Sequence, residues 1–301
     1  MNLRDLRYVV AVADEGHFGR AANRCHVSQP ALSSQIRKLE DELGVTLFER
    51  TNRSVRITPV GAQIAAQARR LITLSDEIVA TAQAAKDPLS GQLKLAMIPT
   101  IGPYLSPLIL PALRRQLPNL NVTLIEGFTH DLERRLLEGE LDIAILATVP
   151  AGATLNEREL YIEPFQVALP PGHPLTRLPK IAAADLTTGE MLLLSEGHCL
   201  RDQLLDLCHA KTADDTPNTR ETSLETILAL VAAGDGITMV PALALRSDDA
   251  NLGIACRDIT EGAGRLVRLV YRSTFPRAEL VDRLAEIIRN QVPAKKVETV
   301  G

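Results

Sequence analysis

Between Ser28 and Gly44 the chain carries both end signals of an α-helix: Ser28-Gln29-Pro30-Ala31-Leu32-Ser33-Ser34-Gln35-Ile36-Arg37-Lys38-Leu39-Glu40-Asp41-Glu42-Leu43-Gly44. Ser28 is placed to cap the first turn, Pro30 falls where no N–H is needed, and Gly44 stops the helix. Leu32, Ile36, Leu39 and Leu43 recur at intervals of four, three and four, which predicts one buried stripe. Gln29, Ser33, Ser34, Arg37 and Lys38 fall on the opposite face. Short polar groups near a helix N-terminus reach base edges and basic groups behind them reach phosphates, as in a recognition helix. An ordinary amphipathic helix with a solvated face fits this segment equally well.

The flanks favour the first option. Residues 4–13 read as a short, largely buried helix ending near Glu15-Gly16, and residues 19–25 as a second helix rich in small side chains. Leu47-Phe48-Glu49-Arg50 and Val55-Arg56-Ile57-Thr58 flank Thr51-Asn52-Arg53-Ser54, which reads as a hairpin with a polar turn. Arg50, Arg53 and Arg56 on that wing suit a phosphate backbone. Residues 1–60 hold nine Lys+Arg against seven Asp+Glu, hence +2, while the whole chain carries −4, leaving −6 for the rest. This asymmetry permits DNA binding without demanding it.

From Pro59 to about Ala85 no glycine or proline follows Gly61. Ile64, Ala68, Leu71, Ser75, Ile78, Ala82 and Ala85 alternate at four and three, a heptad seam that predicts a long helix pairing with a second copy. Packing of the helix on its own domain is the alternative. Lys86-Asp87-Pro88-Leu89-Ser90-Gly91 breaks the helix.

Beyond it, strand-like and helix-like segments alternate. Strands are expected at 92–98, 121–126, 142–146, 191–194, 236–240 and 266–271, and helices at 105–116, 131–138, 223–233 and 276–291. Alternation of this kind argues for α/β units and parallel sheets.

Arg4, Asp5, Arg7, Asp14 and Glu15 interrupt any apolar core of a signal peptide. No stretch approaches the ~20 apolar residues of a membrane span. A cytoplasmic chain without membrane partner is therefore expected, with Cys25, Cys199, Cys208 and Cys256 reduced by default. Their spacing matches no zinc pattern, the histidines form no ligand set, and neither a metal nor a cofactor is implied.

Here the chain resembles the LysR-type family of bacterial transcriptional regulators. The matching string is Ala21-Ala22, Val27-Ser28-Gln29-Pro30-Ala31-Leu32-Ser33, Gln35-Ile36, Leu39-Glu40, Leu43-Gly44, Leu47-Phe48-Glu49-Arg50, Thr58-Pro59 and Gly61. The resemblance implies a winged helix-turn-helix DNA-binding domain over 1–58 and a linker and dimerisation helix over 59–87. It further implies a two-lobed, periplasmic-binding-protein-like α/β regulatory domain over 88–301. Lobe I is then expected at about 88–162 and 266–301, and lobe II at about 163–265, with crossings near Glu163-Pro164 and Arg265.

The segment Gly197-His198-Cys199-Leu200-Arg201-Asp202-Gln203 reads as a turn into an amphipathic helix that begins at Cys199. A thiol at a helix N-terminus beside Arg201 and His198 is expected to have a depressed pKa and to be partly thiolate. If Cys199 and Cys208 share one continuous helix, about 13.5 Å of rise separates them, whereas a disulfide needs Cα atoms within roughly 7 Å. Closing the bond would then unwind the segment. Two cysteines in an α/β lobe also occur simply as packing residues, and Cys25 and Cys256 are read that way.

The resemblance extends to the peroxide-sensing members of the family through Ile98-Pro99-Thr100-Ile101-Gly102-Pro103-Tyr104, Phe128-Thr129-His130, the Cys199 segment with Cys208, Ser223-Leu224-Glu225-Thr226 and Val231-Ala232-Ala233-Gly234. It weakens at 209–220, at 246–264 and beyond Asn290. It implies that Cys199 is the peroxidatic and Cys208 the resolving cysteine, that Thr100 and Thr129 help place the peroxide, and that Arg265 assists; His198 and Asp202 complete the candidate set. Partners implied are double-stranded promoter DNA, hydrogen peroxide, a second copy of the chain through the linker helix, a homotetramer and RNA polymerase. A metabolite-responsive regulator whose cysteines are bystanders is the alternative. A thiol peroxidase is a third reading, but a wing and a heptad helix have no use in one and Cys-x-x-Cys is absent.

Overall fold

The computed structural model describes residues 1–301 except 51–54, 85–86, 152, 187–189, 208–222, 246–252, 261 and 301. Cys208, Arg53 and the heptad position Ala85 thus lie outside the described residues, as does the side chain of Arg50. The chain divides into two compact units, one built on residues 1–86 and the other on 87–137 and 141–301.

In the first unit, α1 (Leu3–Glu15), α2 (Phe18–Arg24) and α3 (Gln29–Leu43) enclose a core of Val9, Val12, Phe18, Ala21, Leu32, Ile36 and Leu39. Local chemistry sets each boundary. Asn2 and Asp5 form a capping box on α1, His17 Nδ1 accepts from the Gly19 N–H, and the Ser28 side chain caps α3. Gly44 ends α3 at φ 69°, a left-handed conformation that costs glycine little. The predicted stripe needs one correction: Leu43, the last residue of the helix, is 37% exposed.

A two-stranded wing follows, β1 (Phe48–Arg50) antiparallel to β2 (Val55–Ile57), with Phe48 opposite Ile57. Glu40 Oε1 accepts from the Leu47 and Phe48 N–H groups at 2.8 and 3.1 Å, fastening the wing to α3.

The helix α4 (Pro59–Ala84) packs on α1 at its beginning, where Ala65 and Ala68 are buried and Ile64 lies against the core. Two seam positions, half-buried Ile64 and buried Ala68, are therefore covered in the single chain, whereas Leu71, Ile78 and Ala82 are exposed and Ser75 is half-buried. Leu71, Leu74, Ile78 and Val79 are 47, 56, 66 and 54% exposed.

The second unit holds a nine-stranded assembly in which β4 (Leu120–Glu126), β3 (Gly91–Met97), β5 (Ile143–Leu146), β10 (Gly264–Arg272), β6 (Leu155–Leu169), β9 (Ala255–Ile259) and β7 (Lys180–Ile181) follow one another. Two further strands, β8 (Thr238–Pro241) and β11 (Glu298–Thr299), also pair with β6. The helices are α5 (Gly102–Gln116), α6 (Thr129–Leu137), α7 (Cys199–Leu207), α8 (Leu224–Ala233) and α9 (Ala278–Gln291). Strand β3 is parallel to β4 and β5, as α/β alternation predicts, but β10 runs antiparallel to both β5 and β6, so the assembly is mixed.

Two hydrophobic cores form, one around Leu95, Met97, Ile143, Leu269 and Leu284, the other around Val167, Met239, Leu200, Leu204 and Ile227. Strand β6 joins them: Leu155–Pro164 pair with β10, and Phe165–Leu169 with β8 and β9. The strand expected at 191–194 is only an isolated bridge between Met191 and Ile237.

Candidate functional site

The first candidate surface is the polar face of α3. Gln29, Pro30, Ser34, Arg37 and Lys38 are exposed, Ser33 is half-buried, and Ser28 spends its side chain on the Ala31 N–H at 3.4 Å. Two interactions brace this face from behind. Gln35 Nε2 donates to Asp5 Oδ1 at 2.8 Å, and Leu32, Ile36 and Leu39 fill the core. The backbone of Arg50 sits opposite Val55 in the wing, and Arg56 is exposed beside it. Polar groups at the N-terminus of a braced helix, with cations behind and on a wing, form a surface complementary to a duplex.

The second site is a narrow crevice in the second unit, lined by Ile98, Pro99, Thr100, Phe128, Thr129, Gly197, His198 and Cys199. Three elements build it: the loop after β3, the N-terminus of α6 and the N-terminus of α7. Leu200 and Leu204 anchor α7 in the second core, which presents half-buried Cys199 as its first residue.

Thr129 Oγ1 is buried and makes no hydrogen bond of normal geometry, yet its hydroxyl stands near Cys199 and favours the charged thiolate.

Arg265 closes the crevice from behind. Its Nη1 donates to Thr100 Oγ1 and its Nη2 to Thr100 O, both at 2.8 Å, while Nε donates to Glu163 Oε2 at 2.9 Å. Arg265, Glu163 and Thr100 are 3, 1 and 2% exposed. Gly264 makes this arrangement possible: a Cβ there would come within 2.7 Å of Glu163 O, so only glycine lets β10 pass β6 closely enough to set Arg265 beside Glu163.

The electrostatics correct the expectation for Cys199. Burial pushes the thiol above the usual cysteine range; Arg265 and the Thr129 hydroxyl pull it down, and Asp202 pushes it up again. Neither of the neighbours credited from the sequence supplies the charge. Arg201 Nη1 is engaged with Leu194 O at 2.9 Å. His198 is buried, its pKa lowered by desolvation, and it stacks edge-on against Phe128 with centroids 4.8 Å apart. The cation that acts on Cys199 comes from a strand 66 residues away in sequence.

The structure thus brings Thr100, Thr129, His198, Cys199 and Arg265 together and leaves Asp202 on the exposed side of α7. Sequence reasoning missed Glu163, Phe128 and Gln203. Gln203 Nε2 donates to Ala147 O at 2.8 Å, tying α7 to the end of β5. A lone Glu or Gln in a charged segment carries no signal of its own. Cys25 caps the end of α2 half-buried, and Cys256 sits in β9 opposite Ala168. Among the described residues there is no cluster that could hold a metal ion, and no helix long and apolar enough to cross a membrane.

Comparison with known proteins matches both units of the chain. Residues 3–62 match the bacterial regulatory helix-turn-helix family of lysR type, and residues 86–293 match the LysR substrate binding domain. The chain is 44% identical over 292 residues to the DNA-binding transcriptional dual regulator OxyR of Escherichia coli K12, covering 96% of this chain and 95% of that one. It is 43% identical over 293 residues to a hydrogen peroxide-inducible genes activator of Pectobacterium carotovorum, covering 97% of each. Among solved structures, a full-length cysteine-to-aspartate variant of OxyR from Pseudomonas aeruginosa matches with a TM-score of 0.79 at 43% identity, covering 97% of this chain and 99% of that one. A hydrogen-peroxide-bound cysteine-to-serine variant of OxyR from Corynebacterium glutamicum matches with a TM-score of 0.65 at 33% identity, covering 96 and 92%. With both of its units matched, the braced recognition helix and the two-core α/β unit alike, this chain belongs to the LysR family of DNA-binding bacterial transcriptional regulators.

Proposed function

We propose that this chain is a cytoplasmic transcription regulator that senses hydrogen peroxide through oxidation of Cys199 and disulfide formation with Cys208. The observation that carries the reading is the crevice itself. It places a half-buried thiol beside the Thr129 and Thr100 hydroxyls, with the buried Arg265 guanidinium behind them. That inventory suits a two-oxygen ligand. The names of the relatives point the same way.

In the proposed chemistry the Cys199 thiolate attacks one peroxide oxygen, the O–O bond breaks, and the departing hydroxide takes up a proton to leave as water. Cys199 becomes a sulfenic acid. The Cys208 thiol then attacks that sulfur, a second water leaves, and the two thiols have together given up the two electrons that reduced the peroxide. Thr129, Thr100 and Arg265 orient the peroxide and favour the anionic form, and neutral His198 contributes hydrogen bonding at the rim.

Helix α7 resists the second step. It carries Leu207 about 12 Å from Cys199, and one further peptide step spans 3.8 Å, so a bond that needs Cα atoms within about 7 Å requires α7 to unwind in part. Unwinding withdraws Leu204 from its core and breaks the Gln203–Ala147 tie, which supports a change of shape in the regulatory unit.

On DNA, α3 enters the major groove with Ser28, Gln29, Pro30, Ser33 and Ser34 near the bases, and Arg37, Lys38, Arg50 and Arg53 hold phosphates. The open seam of α4 pairs two copies so that two recognition helices meet two half-sites, and two such dimers form a tetramer that acts on RNA polymerase.

Thiol trapping with mass spectrometry after a stoichiometric peroxide pulse tests the reading. A mapped Cys199–Cys208 disulfide, reversed by a thiol reductant, is expected; unmodified Cys199 at peroxide excess would overturn it. Because burial keeps Cys199 protonated at neutral pH, its rate of oxidation should climb about tenfold per pH unit from pH 7 to 8.5 as the thiolate fraction grows. A stopped-flow rate that is flat over that range would mean the thiolate is already formed.

A further inference from the structure

The crossing of β6 and β10 holds an ion pair that the proposed chemistry does not use directly. Glu163 and Arg265 are cross-strand neighbours in register, and both side chains are 1% exposed. Every acceptor of the carboxylate is engaged. Glu163 Oε1 accepts from the Leu243 N–H at 2.8 Å, and Oε2 accepts from Nε of Arg265 at 2.9 Å with Nη2 in ion-pair contact at 2.9 Å. The other end of the guanidinium reaches the crevice, where Nη1 meets the Thr100 hydroxyl and Nη2 its carbonyl. A continuous buried chain thus runs from the Leu243 backbone through Glu163 and Arg265 to Thr100.

Arginine has many rotamers, and contacts at its two tips alone do not fix the plane of the fork. The bond at Nε does, because it grips the root of the guanidinium, while Leu243 holds the carboxylate in turn. We infer that Glu163 is a positioning residue for the peroxide reaction: its carboxylate holds the Arg265 guanidinium against Thr100, so that the positive charge stays fixed beside Cys199. This inference rests on the peroxide reading for its chemistry but concerns a property of Cys199 that is measurable without peroxide.

The other groups around the pair leave this role to Glu163. Tyr161, on the same strand, is buried with its hydroxyl unpartnered and held neutral by burial and by the Glu163 charge. Around Cys199 itself, His198 is neutral by burial and Asp202 opposes the thiolate, leaving Arg265 as the favourable charge. Glutamine at 163 would fit the space but offers a single acceptor oxygen to two donors, Leu243 N–H and Arg265 Nε–H. Its amide N–H would face one of them. Aspartate keeps the charge and both oxygens but withdraws them by about 1.5 Å, one C–C bond.

The test uses the full-length chain with Glu163→Gln and Glu163→Asp. Two quantities are read: the pH midpoint of Cys199 alkylation by iodoacetamide, mapped by mass spectrometry, and the rate of Cys199 oxidation by hydrogen peroxide at pH 7. For Glu163→Gln the midpoint should rise by about one pH unit and the rate fall about tenfold, since each unit is a factor of ten in thiolate. Glu163→Asp should slow oxidation about threefold with a midpoint displaced in the same direction, in line with a partial loss of the charge's effect. It carries the test if the glutamine variant does not fold.

A folded variant that melts earlier but keeps the wild-type midpoint and rate would overturn the inference, making the pair a structural clamp alone. Wild-type Cys199 that alkylates normally but ignores peroxide would instead overturn the peroxide reading, and the alkylation midpoints would still decide whether Glu163 governs the charge at Cys199.

Discussion

Cys199→Ser is expected to give a folded chain that binds promoter DNA with wild-type affinity and no longer changes its DNA footprint when peroxide is added. The substitution replaces sulfur by a smaller, more polar oxygen at a half-buried helix N-terminus, a change costing about 1 kcal/mol, because Cys199 only packs against the edge of the first core and is not one of its buried residues. The response is lost completely because a hydroxyl cannot reduce a peroxide, and no other described cysteine lines the crevice. Footprinting or fluorescence anisotropy with and without a peroxide pulse reads the outcome. A serine variant that still responds like the wild type would place the sensor elsewhere in the chain and return attention to a metabolite.

The second large effect is expected from Leu71→Glu combined with Ile78→Glu. Both side chains lie on the open part of the α4 seam, 47 and 66% exposed in the single chain, so the fold of the unit should not depend on them. In the proposed dimer they are buried against their copies. With about half of each side chain already covered, four of them contribute about 3–6 kcal/mol, which corresponds to a dimer weakened by at least about 10²-fold before the cost of burying four carboxylates is counted. Sedimentation should then find a monomer at micromolar concentration, and affinity for a two-half-site duplex should fall to that of a single half-site. An unchanged dimer would assign the interface to another face. The control is Ala68→Ser, on the buried part of the same helix, where a polar atom would disturb packing on α1 rather than pairing between copies.

The DNA-binding unit was legible in the sequence because its determinants are local. Ser28, Pro30 and Gly44 act within one turn of their own positions, and the stripe Leu32, Ile36 and Leu39 follows from the period of the helix alone. The errors there concern only what a stripe packs against. Leu43 has the right spacing but stays exposed, and Ile64 and Ala68 belong to the heptad, yet Ile64 packs on the core of the first unit and Ala68 is buried in the single chain.

Strand β6 was not legible as an element, and the reason is specific. A bulge between its pairs with Val267 and Arg268 leaves Leu160 without a partner on β10, so Leu160 and Tyr161 are buried consecutively and the alternation of a strand is broken. Charged Glu157, Arg158, Glu159 and Glu163 complete the disguise. The isolated Met191–Ile237 bridge is the opposite case, an apolar run with strand composition that finds only one backbone partner.

Sequence alone determined which segments form helices, with ends up to three residues off, which segment forms the helix-turn-helix, and that Cys199 opens an amphipathic helix, since each depends on neighbours a few residues apart. Only the tertiary structure decided the state of that cysteine. The local cations Arg201 and His198 proved engaged or neutral, and burial outweighed the helix end. Charge and desolvation act through space, so the groups that govern Cys199 are the ones folding brings near it: Thr129, Arg265 and, behind Arg265, Glu163.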